Sequence, residues 1–462
     1  MFNKSNLMQV IIFIFLFAIS QINISVYAVE DSADNSVDLS SAQQQKTLVT
    51  SINFDEVLKK AKDHSYDLQI ADYNVLISKQ GIRGARSEYY PKFNLGAGLE
   101  YTKNFRDIRD TTVMSIGDAF INPYTRFQSI LGVNVSYNLF DFGVRGGSLK
   151  MAKEDVEIKE LEIKQKYQEM SLTLLDTYTK ILLLTKQIEL NKQILAIEEK
   201  NLEMKERLFN AKEISKTELN DERIKVKQVK NKISDLKSVR QESINWLSFY
   251  TGDEYNTDAL KVAPLKEEKF DENSFTDYTK SIVWKVHEKN IKKKELELYV
   301  VKRTNYPKLN AYSRYYLYGS DYSNLGKSFD IEPSNFSVGA SLSMPLFDGF
   351  KNSANIQKTM LELKQMNIER DKAIAELATK LATMRSNLIY LDEQINENNQ
   401  AMSELKDKAK SVHKLASKRL ISPVDENDVK IELLNLEIEY DKNSVTHTAI
   451  TQGIKILTEE FN

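Results

Sequence analysis

Four short segments of the chain alternate apolar with small polar residues. Between Pro91 and Thr102, Phe93, Leu95, Ala97, Leu99 and Tyr101 fall on one face and Asn94, Gly96, Gly98, Glu100 and Thr102 on the other. Leu131, Val133, Val135, Tyr137 and Leu139 alternate with Gly132, Asn134, Ser136 and Asn138. Phe336, Val338, Ala340, Leu342 and Met344 alternate with Ser337, Gly339, Ser341 and Ser343. The segment from Leu309 to Tyr318 is less regular, because Tyr312, Tyr316 and Tyr318 stand on its nominally polar face. A period of two predicts strands at about 91–102, 130–139, 308–319 and 335–346. Pro91, Pro307 and Pro345 sit at strand ends, where a missing N–H is tolerated.

Elsewhere the period is helical. Neither glycine nor proline occurs from Leu149 to Thr251 or from Phe350 to Ser422. Leu174, Ile181, Ile188, Leu195 and Leu202 recur every seven residues, as do Ile374, Leu381, Leu388, Ile395 and Met402. Sustained heptads predict left-handed coiled-coil packing. Asp141 and Asp348 are placed to N-cap the long helices. Ser215 with Glu218 forms a capping box, and Ser422, Pro423 and Asp425 form a similar start with proline at the first helical position. Each long helix therefore ends near 210 or 417, turns, and a second helix returns.

The two patterns belong to one duplicated unit. Leu139-Phe140-Asp141 recurs as Leu346-Phe347-Asp348, 207 positions later, and the offset holds through the heptads to Ile214-Ser215 and Ile421-Ser422. Tyr90-Pro91-Lys92 recurs as Tyr306-Pro307-Lys308 at an offset of 216. The difference falls between Lys103–Arg126 and Gly319–Pro333, which predicts loops of unequal length there. Each copy reads helix, strand, loop, strand, long helix, turn, helix. The expected organisation is a signal peptide at 1–28, a flexible polar arm at 29–52 and repeat 1 at 53–250, with its helical hairpin at 142–250. A linker at 251–273 and repeat 2 at 274–462, with its hairpin at 349–459, complete it.

Composition narrows the classes. The 462 residues hold 64 Lys+Arg against 66 Asp+Glu, and this balance gives no electrostatic footprint for nucleic acid. Cysteine is absent, which removes disulfides, thiolate metal sites and cysteine nucleophiles. Lys4, the apolar run from Val10 to Ile19 and Val26-Tyr27-Ala28 read as a secretory signal. No later stretch is apolar enough to span a bilayer as a helix, so a membrane role would require β-structure. His64, His287, His413 and His447 lie far apart, and no phosphate loop or GxSxG occurs. No catalytic residue, metal site or cofactor site is expected.

Lengths give the architecture. Residues 142–209 and 349–417 as single helices each span ~100 Å at ~1.5 Å per residue, and the shorter helices about half that. Two short helices stacked end to end match one long one. The expected fold is an α+β membrane protein whose protomer supplies four transmembrane strands and long coiled-coil helices. Four strands cannot close in lipid. Eight leave an interior that side chains fill, whereas twelve begin to enclose water, so a homotrimer is expected.

The whole mature chain resembles the TolC family of outer-membrane efflux and secretion ducts. The carriers are the tandem repeat, the two YPK strand starts, the LFDFG and LFDGF junctions and the opening SINFDEVLKKAKDHSYDL. The resemblance implies a twelve-stranded trimeric β-barrel continuous with a twelve-helix periplasmic α-barrel, and an equatorial belt where the linker lies. It also implies outer-membrane lipid around the barrel, and docking to a periplasmic adaptor (membrane fusion) protein coupled to an inner-membrane RND or ABC pump. The function so implied is a passive exit duct for tripartite efflux or type I secretion. Where the family commonly has glycine in its helix–turn–helix, this chain has Lys212 and Arg419. Asn210 is the expected source of a left-handed residue at the first turn. Lys212, Glu213, Ser215, Arg419 and Ser422 are the docking-tip candidates, and Glu404 and Asp407 the candidates for a carboxylate ring at the periplasmic gate.

Two other classes fit parts of the pattern. A trimeric autotransporter adhesin also joins coiled coil to four strands per chain, but its strands sit together at the C-terminus. A periplasmic coiled-coil scaffold without transport would partition with soluble protein.

Overall fold

The computed structural model describes residues 49–103, 114–116, 119–121, 127–257, 259–267, 278–418 and 420–458. The signal peptide, residues 29–48 of the arm and Arg419 lie outside these. Two compact units are present. In the smaller, Val49 pairs in parallel with Tyr255, donating to Glu254 and accepting from Asn256 at 3.0 Å each. The larger, residues 50–252 and 257–462, carries the helices and the main sheet.

The described α-helices are α1 (Phe54–His64), α2 (Tyr66–Ser87), α3 (Val144–Asn210), α4 (Lys216–Thr251), α5 (Ile282–Arg303), α6 (Lys351–Ser417) and α7 (Pro423–Thr458). The duplication fixes their boundaries. α3 and α6 have 67 residues each, α4 and α7 have 36, and every end is displaced by 207 positions. α2 and α5 have 22 residues each, displaced by 216. Each copy was expected to open on one helix, but copy 1 opens on two, α1 and α2. Ser65 adopts ψ 119°, ends α1 and caps α2, its hydroxyl accepting from the Leu68 N–H at 3.4 Å. Ser281, 216 positions on, caps α5 in the same way through the Trp284 N–H at 3.2 Å.

The described strands are β1 (Ser51–Ile52), β2 (Lys92–Tyr101), β3 (Met114–Ile116), β4 (Ala119–Ile121), β5 (Phe127–Phe140), β6 (Lys261–Val262), β7 (Lys308–Asp321) and β8 (Glu332–Ser343). The main sheet is antiparallel in the order β2-β5-β7-β8, so the repeats join through β5 and β7. Within the segment expected to be loop, β3 and β4 pair as a small hairpin. Residues 51–52, expected to end a flexible arm, pair in parallel with β6 instead. Ile52 is buried, and the buried Tyr178 hydroxyl donates to the Ile52 carbonyl at 3.2 Å and the Ala263 carbonyl at 2.7 Å. Those contacts hold the strand down.

α3 is the central helix. It packs on α2 and α4 along one side and on α5 and α7 along the other, while α6 packs against α5 and α7. Burial follows from this position. Leu174, Tyr178 and Ile181 of α3 are fully buried, each apolar side chain contributing roughly 1.5–3 kcal/mol. α6 buries a narrower seam of Leu377, Leu381, Leu388 and Leu391, and three of these join Ile454 and Leu457 of α7 in one core. Its Ile368, Ile389 and Tyr390 remain exposed. Ion pairs tie α3 to α5: Lys292 reaches Glu154 at 2.6 Å, and Lys289 reaches it at 3.2 Å. Among the described residues no helix is long and apolar enough to cross a membrane.

Candidate functional site

The two faces of the main sheet differ in chemistry. Cross-strand pairing aligns Leu95, Val133, Tyr315 and Phe336 on one face, and Phe93, Val135, Ser313 and Val338 in the next row. On the edge strands this apolar face is open: Phe93 is 63% exposed, Phe336 67% and Leu342 72%. The opposite face carries Asn94, Gly96, Asn134, Gly132, Ser337 and Gly339. Two of the three tyrosines that disturbed the alternation, Tyr312 and Tyr316, have a steric reason for standing there. Tyr316 pairs with Gly132 and Tyr312 with Gly339, and each ring occupies the space that a Cβ on its glycine would need. Arg314 lies over the Tyr312 ring at 4.5 Å. The outer edges of β2 and β8 have no strand partner among the described residues.

The strand-to-helix junctions are built differently from the expected simple N-cap. In copy 1 Phe142 and Gly143 have φ +55° and +87°, and in copy 2 Gly349 and Phe350 have φ +66° and +65°. Both residues are left-handed whichever comes first, so the capping positions are Gly143 and Phe350, not the aspartates. The carboxylates still reach the first turn. Asp141 accepts from the Gly143 and Arg145 N–H groups at 3.1 Å each and pairs with the Arg145 guanidinium at 2.9 Å. Asp348 accepts from the Asn352 N–H at 3.0 Å and from Asn305 at 2.9 Å. The Asn305 amide, followed by these backbone N–H groups, holds the Asp348 carboxyl below its ordinary range.

At the α3–α4 turn the left-handed residue is Lys212, with φ +62°, rather than Asn210, which remains helical. The left-handed residue follows position in the cap rather than residue type. Glu213 N–H donates to Leu208 C=O and Lys212 N–H to Phe209 C=O, both at 2.9 Å. This is the paired bonding of a Schellman cap, with lysine where glycine is usual. Ser215 then caps α4, accepting from Glu218 N–H at 3.2 Å. In copy 2 Leu420 N–H donates to Leu415 C=O at 3.0 Å, the equivalent long bond. Ser422 opens α7 reciprocally: its hydroxyl accepts from Val424 N–H, and its own N–H donates to Asp425 at 3.3 Å.

The gate candidates are both exposed on α6. Asp407 pairs with Lys410 of its own helix at 2.9 Å. Glu404 borders a groove between α6 and α7 with Leu405, Lys408 and Glu432, and Lys408 bridges that groove to Glu432 at 2.9 Å. One helical turn apart, the two carboxylates have different surroundings.

A polar cluster that the heptad reading passed over lies between α3, α4 and α7. Glu198, Asn201 and Glu222 are buried, and Lys205 reaches Glu222 at 2.8 Å. Asn427 of α7 donates to Asn201 at 2.7 Å. The signal was present in the sequence: Leu184, Asn191, Glu198 and Lys205 recur every seven residues, a polar run entering a core register. Among the described residues no group of three His, Cys, Asp or Glu is placed to hold a metal ion.

Both outer columns of helices leave apolar side chains uncovered. Ile70, Tyr73 and Ile77 of α2 and Trp246 and Phe249 of α4 are exposed on one flank, and Leu361, Ile368 and Ile389 of α6 on the other. The sequence model of the outer membrane efflux protein family matches residues 57–253 and 289–433. The chain belongs to the outer membrane efflux protein family. The match covers both repeats, from α1 into α7. Crystal structures of family-like channels share the fold at low identity. The outer membrane protein VceC of Vibrio cholerae superposes with a TM-score of 0.72 at 14% identity, over 88% of this chain and 97% of that one. The CmeC outer membrane channel of Campylobacter jejuni gives 0.71 at 13% identity, over 90% of each chain. The open MtrE outer membrane channel of Neisseria gonorrhoeae gives 0.69 at 15%, over 90% and 94%. No curated protein sequence matches significantly. The TolC-like resemblance and the α+β, internally duplicated fold expected from the sequence are therefore borne out.

Proposed function

We propose that this family member is the outer-membrane exit duct of a tripartite efflux or secretion system, acting as a homotrimer. The observation that carries the reading is the four-stranded sheet with an exposed apolar face and two unpartnered edges. In hydrocarbon, each unpaired backbone group costs several kcal/mol, so an open edge is untenable there. Joining β8 of one protomer to β2 of the next removes every edge, and three copies give the twelve strands that enclose an aqueous lumen. The apolar face meets outer-membrane lipid, and the Gly, Ser and Asn face lines water.

The same assembly answers the uncovered helical flanks. Exposed apolar rows on α2 and α4 at one side and on α6 at the other fit each other across a protomer boundary, closing a periplasmic barrel of long and stacked helices. The turns at Lys212–Ser215 and near Ser422 form the tip that docks to a periplasmic adaptor and, through it, to an inner-membrane pump. Glu404 and Asp407 stand a few turns above that tip and supply a carboxylate ring around the entrance. The duct carries cargo passively and catalyses no reaction.

Fractionation and mass test this assembly. The protein should pellet with outer membranes, and the detergent-solubilised particle should have the mass of three chains by light scattering. A monomer recovered from the soluble periplasm would overturn it.

A further inference from the structure

The loop joining β7 to β8 folds back on the sheet. Asp321 accepts from the Ser323 and Asn324 N–H groups at 2.9 and 2.6 Å, and Asn324 in turn accepts from the Gly326 N–H at 2.8 Å. A single tight helical turn follows at Lys327–Phe329. Its Ser328 is completely buried, and the Ser328 hydroxyl donates to the Leu325 carbonyl at 2.7 Å. That uses the one proton of Ser328, so the 3.0 Å bond to the buried Ser129 hydroxyl of β5 is donated by Ser129. At Gly319 of β7 a Cβ would stand 2.3 Å from the Ser328 carbonyl oxygen and 2.9 Å from that of Asp330. The turn therefore lies directly on both central strands.

Strand parity identifies the face it covers. Ser129 and Gly319 are cross-strand partners, and the following rows on their face are Leu131 with Leu317 and Val133 with Tyr315. That is the apolar face of the sheet. A loop folded over the Gly, Ser and Asn face would lie against Tyr318 and Ser320 instead. The turn also sits at the end of the sheet remote from the helices, since α3 follows β5 and α6 follows β8 at the other end. From Leu309 to Gly319 the strand rises ~34 Å at ~3.4 Å per residue. A strand tilt of about 40° turns this into roughly 26 Å across a membrane, against an apolar band of ~25 Å on barrels of this kind. The turn is thus placed at the far boundary of that band.

We propose that residues 322–330 are a lipid-surface anchor, held against the outside of the barrel wall so that its apolar side chains enter the leaflet remote from the helices. The side chains it presents fit that partner. Phe329 is 58% exposed and Leu325 41%, with Tyr322 exposed beside them, although the backbone that carries them is fastened to the sheet. In water such a loop gains nothing by holding apolar groups outward. At a bilayer boundary Leu325 and Phe329 bury against acyl chains, while the exposed Lys327 and Asp330 remain among the headgroups. The patch continues the apolar sheet face without a break, so one lipid surface covers both. The anchor fixes the depth at which the sheet sits. It rests on the reading of that sheet as a membrane wall.

The chain has no native cysteine, so nitroxide labels can be placed singly at Leu325→Cys, Phe329→Cys, Val338→Cys and Ser337→Cys. Val338 and Ser337 are neighbours on opposite faces of β8 and report the sheet itself. The full-length protein, in vesicles of phosphatidylethanolamine and phosphatidylglycerol, is exposed to oxygen, which concentrates among acyl chains, and to a water-soluble nickel chelate. Labels at 325, 329 and 338 should collide mainly with oxygen, and the label at 337 mainly with nickel. Nickel-dominated labels at 325 and 329 beside an oxygen-dominated label at 338 overturn the anchor and leave the membrane wall standing. Nickel at 338 as well overturns the wall and the anchor together. Gly319→Ala, whose methyl group needs the place of the Ser328 carbonyl, should shift the label at 329 from oxygen to nickel and leave the label at 338 unchanged. A label at 329 that keeps its oxygen signature in Gly319→Ala overturns the fastening by the sheet.

Discussion

The ring of Tyr316 lies over the bare α-carbon of Gly132, directly across the junction where the two repeats meet in the sheet. A methyl group on Gly132 would collide with two carbons of that ring. Gly132→Ala should therefore force Tyr316 off its rotamer and cost about 1–3 kcal/mol. Thermal dissociation of the assembled oligomer on semi-native gels should fall accordingly. Pairing it with Tyr316→Ala should recover part of the loss, because the clash disappears with the ring.

Lys212 holds a left-handed backbone that costs an L-residue about 1–2 kcal/mol. Lys212→Gly should remove that strain while adding freedom to the unfolded chain, for a net gain of roughly 0.5–1 kcal/mol. Lys212→Val should do the opposite, since branching at Cβ deepens the strain. Circular dichroism melts of the three proteins should rank glycine above lysine above valine.

Tyr178 is fully buried, and its hydroxyl joins the β1–β6 pair to the central helix. Burial, with the nearby Asp55 carboxylate, pushes this phenol far above its usual range, so it stays a neutral donor throughout. Tyr178→Phe keeps the ring contact to Phe54 but takes this donor from the Ile52 and Ala263 carbonyls, of which Ile52 keeps the Ala263 N–H. The expected cost is about 1–3 kcal/mol, read as faster amide exchange at Ile52 and Ala263.

Glu154 gives a pH dependence of known sign. Burial pushes its carboxyl up, but hydrogen bonds from Lys292 and Lys289 of α5 outweigh this and set it below its ordinary 4.5. A depressed acid stabilises the fold above its unfolded value and loses that contribution as pH falls through its folded value. The stability difference between the unsubstituted protein and Glu154→Gln should stay level above pH 4.5 and close as the solution becomes more acid. A difference that widens in acid would contradict the assignment of these lysines.

Much of this fold is legible in the sequence because its physics is periodic. Alternation over Phe93–Tyr101 and Phe336–Met344 marks strands, and the repeat carries boundaries from Val144 to Lys351 without drift. What escaped prediction is local and three-dimensional. Ser65 breaks a helix through a single ψ, which no period records. Phe142 and Phe350 adopt positive φ because the chain must turn from sheet to helix, against the preference of the residue itself. Tyr312 and Tyr316 look misplaced until the glycines across the strand are known. Of the candidate tip, the capping serines were readable, but the left-handed position was assigned to Asn210 by residue type when the bonding pattern selects Lys212. The bond from Asn427 to the buried Asn201 was invisible, since only the packing of α7 on α3 brings the two residues together.

Current through a planar bilayer tests the central claim most directly. Purified protein added to one chamber should give discrete, long-lived conductance steps, as three sheets sealed around a water-filled lumen require. Insertion without any step, from material shown by circular dichroism to be folded, would contradict it.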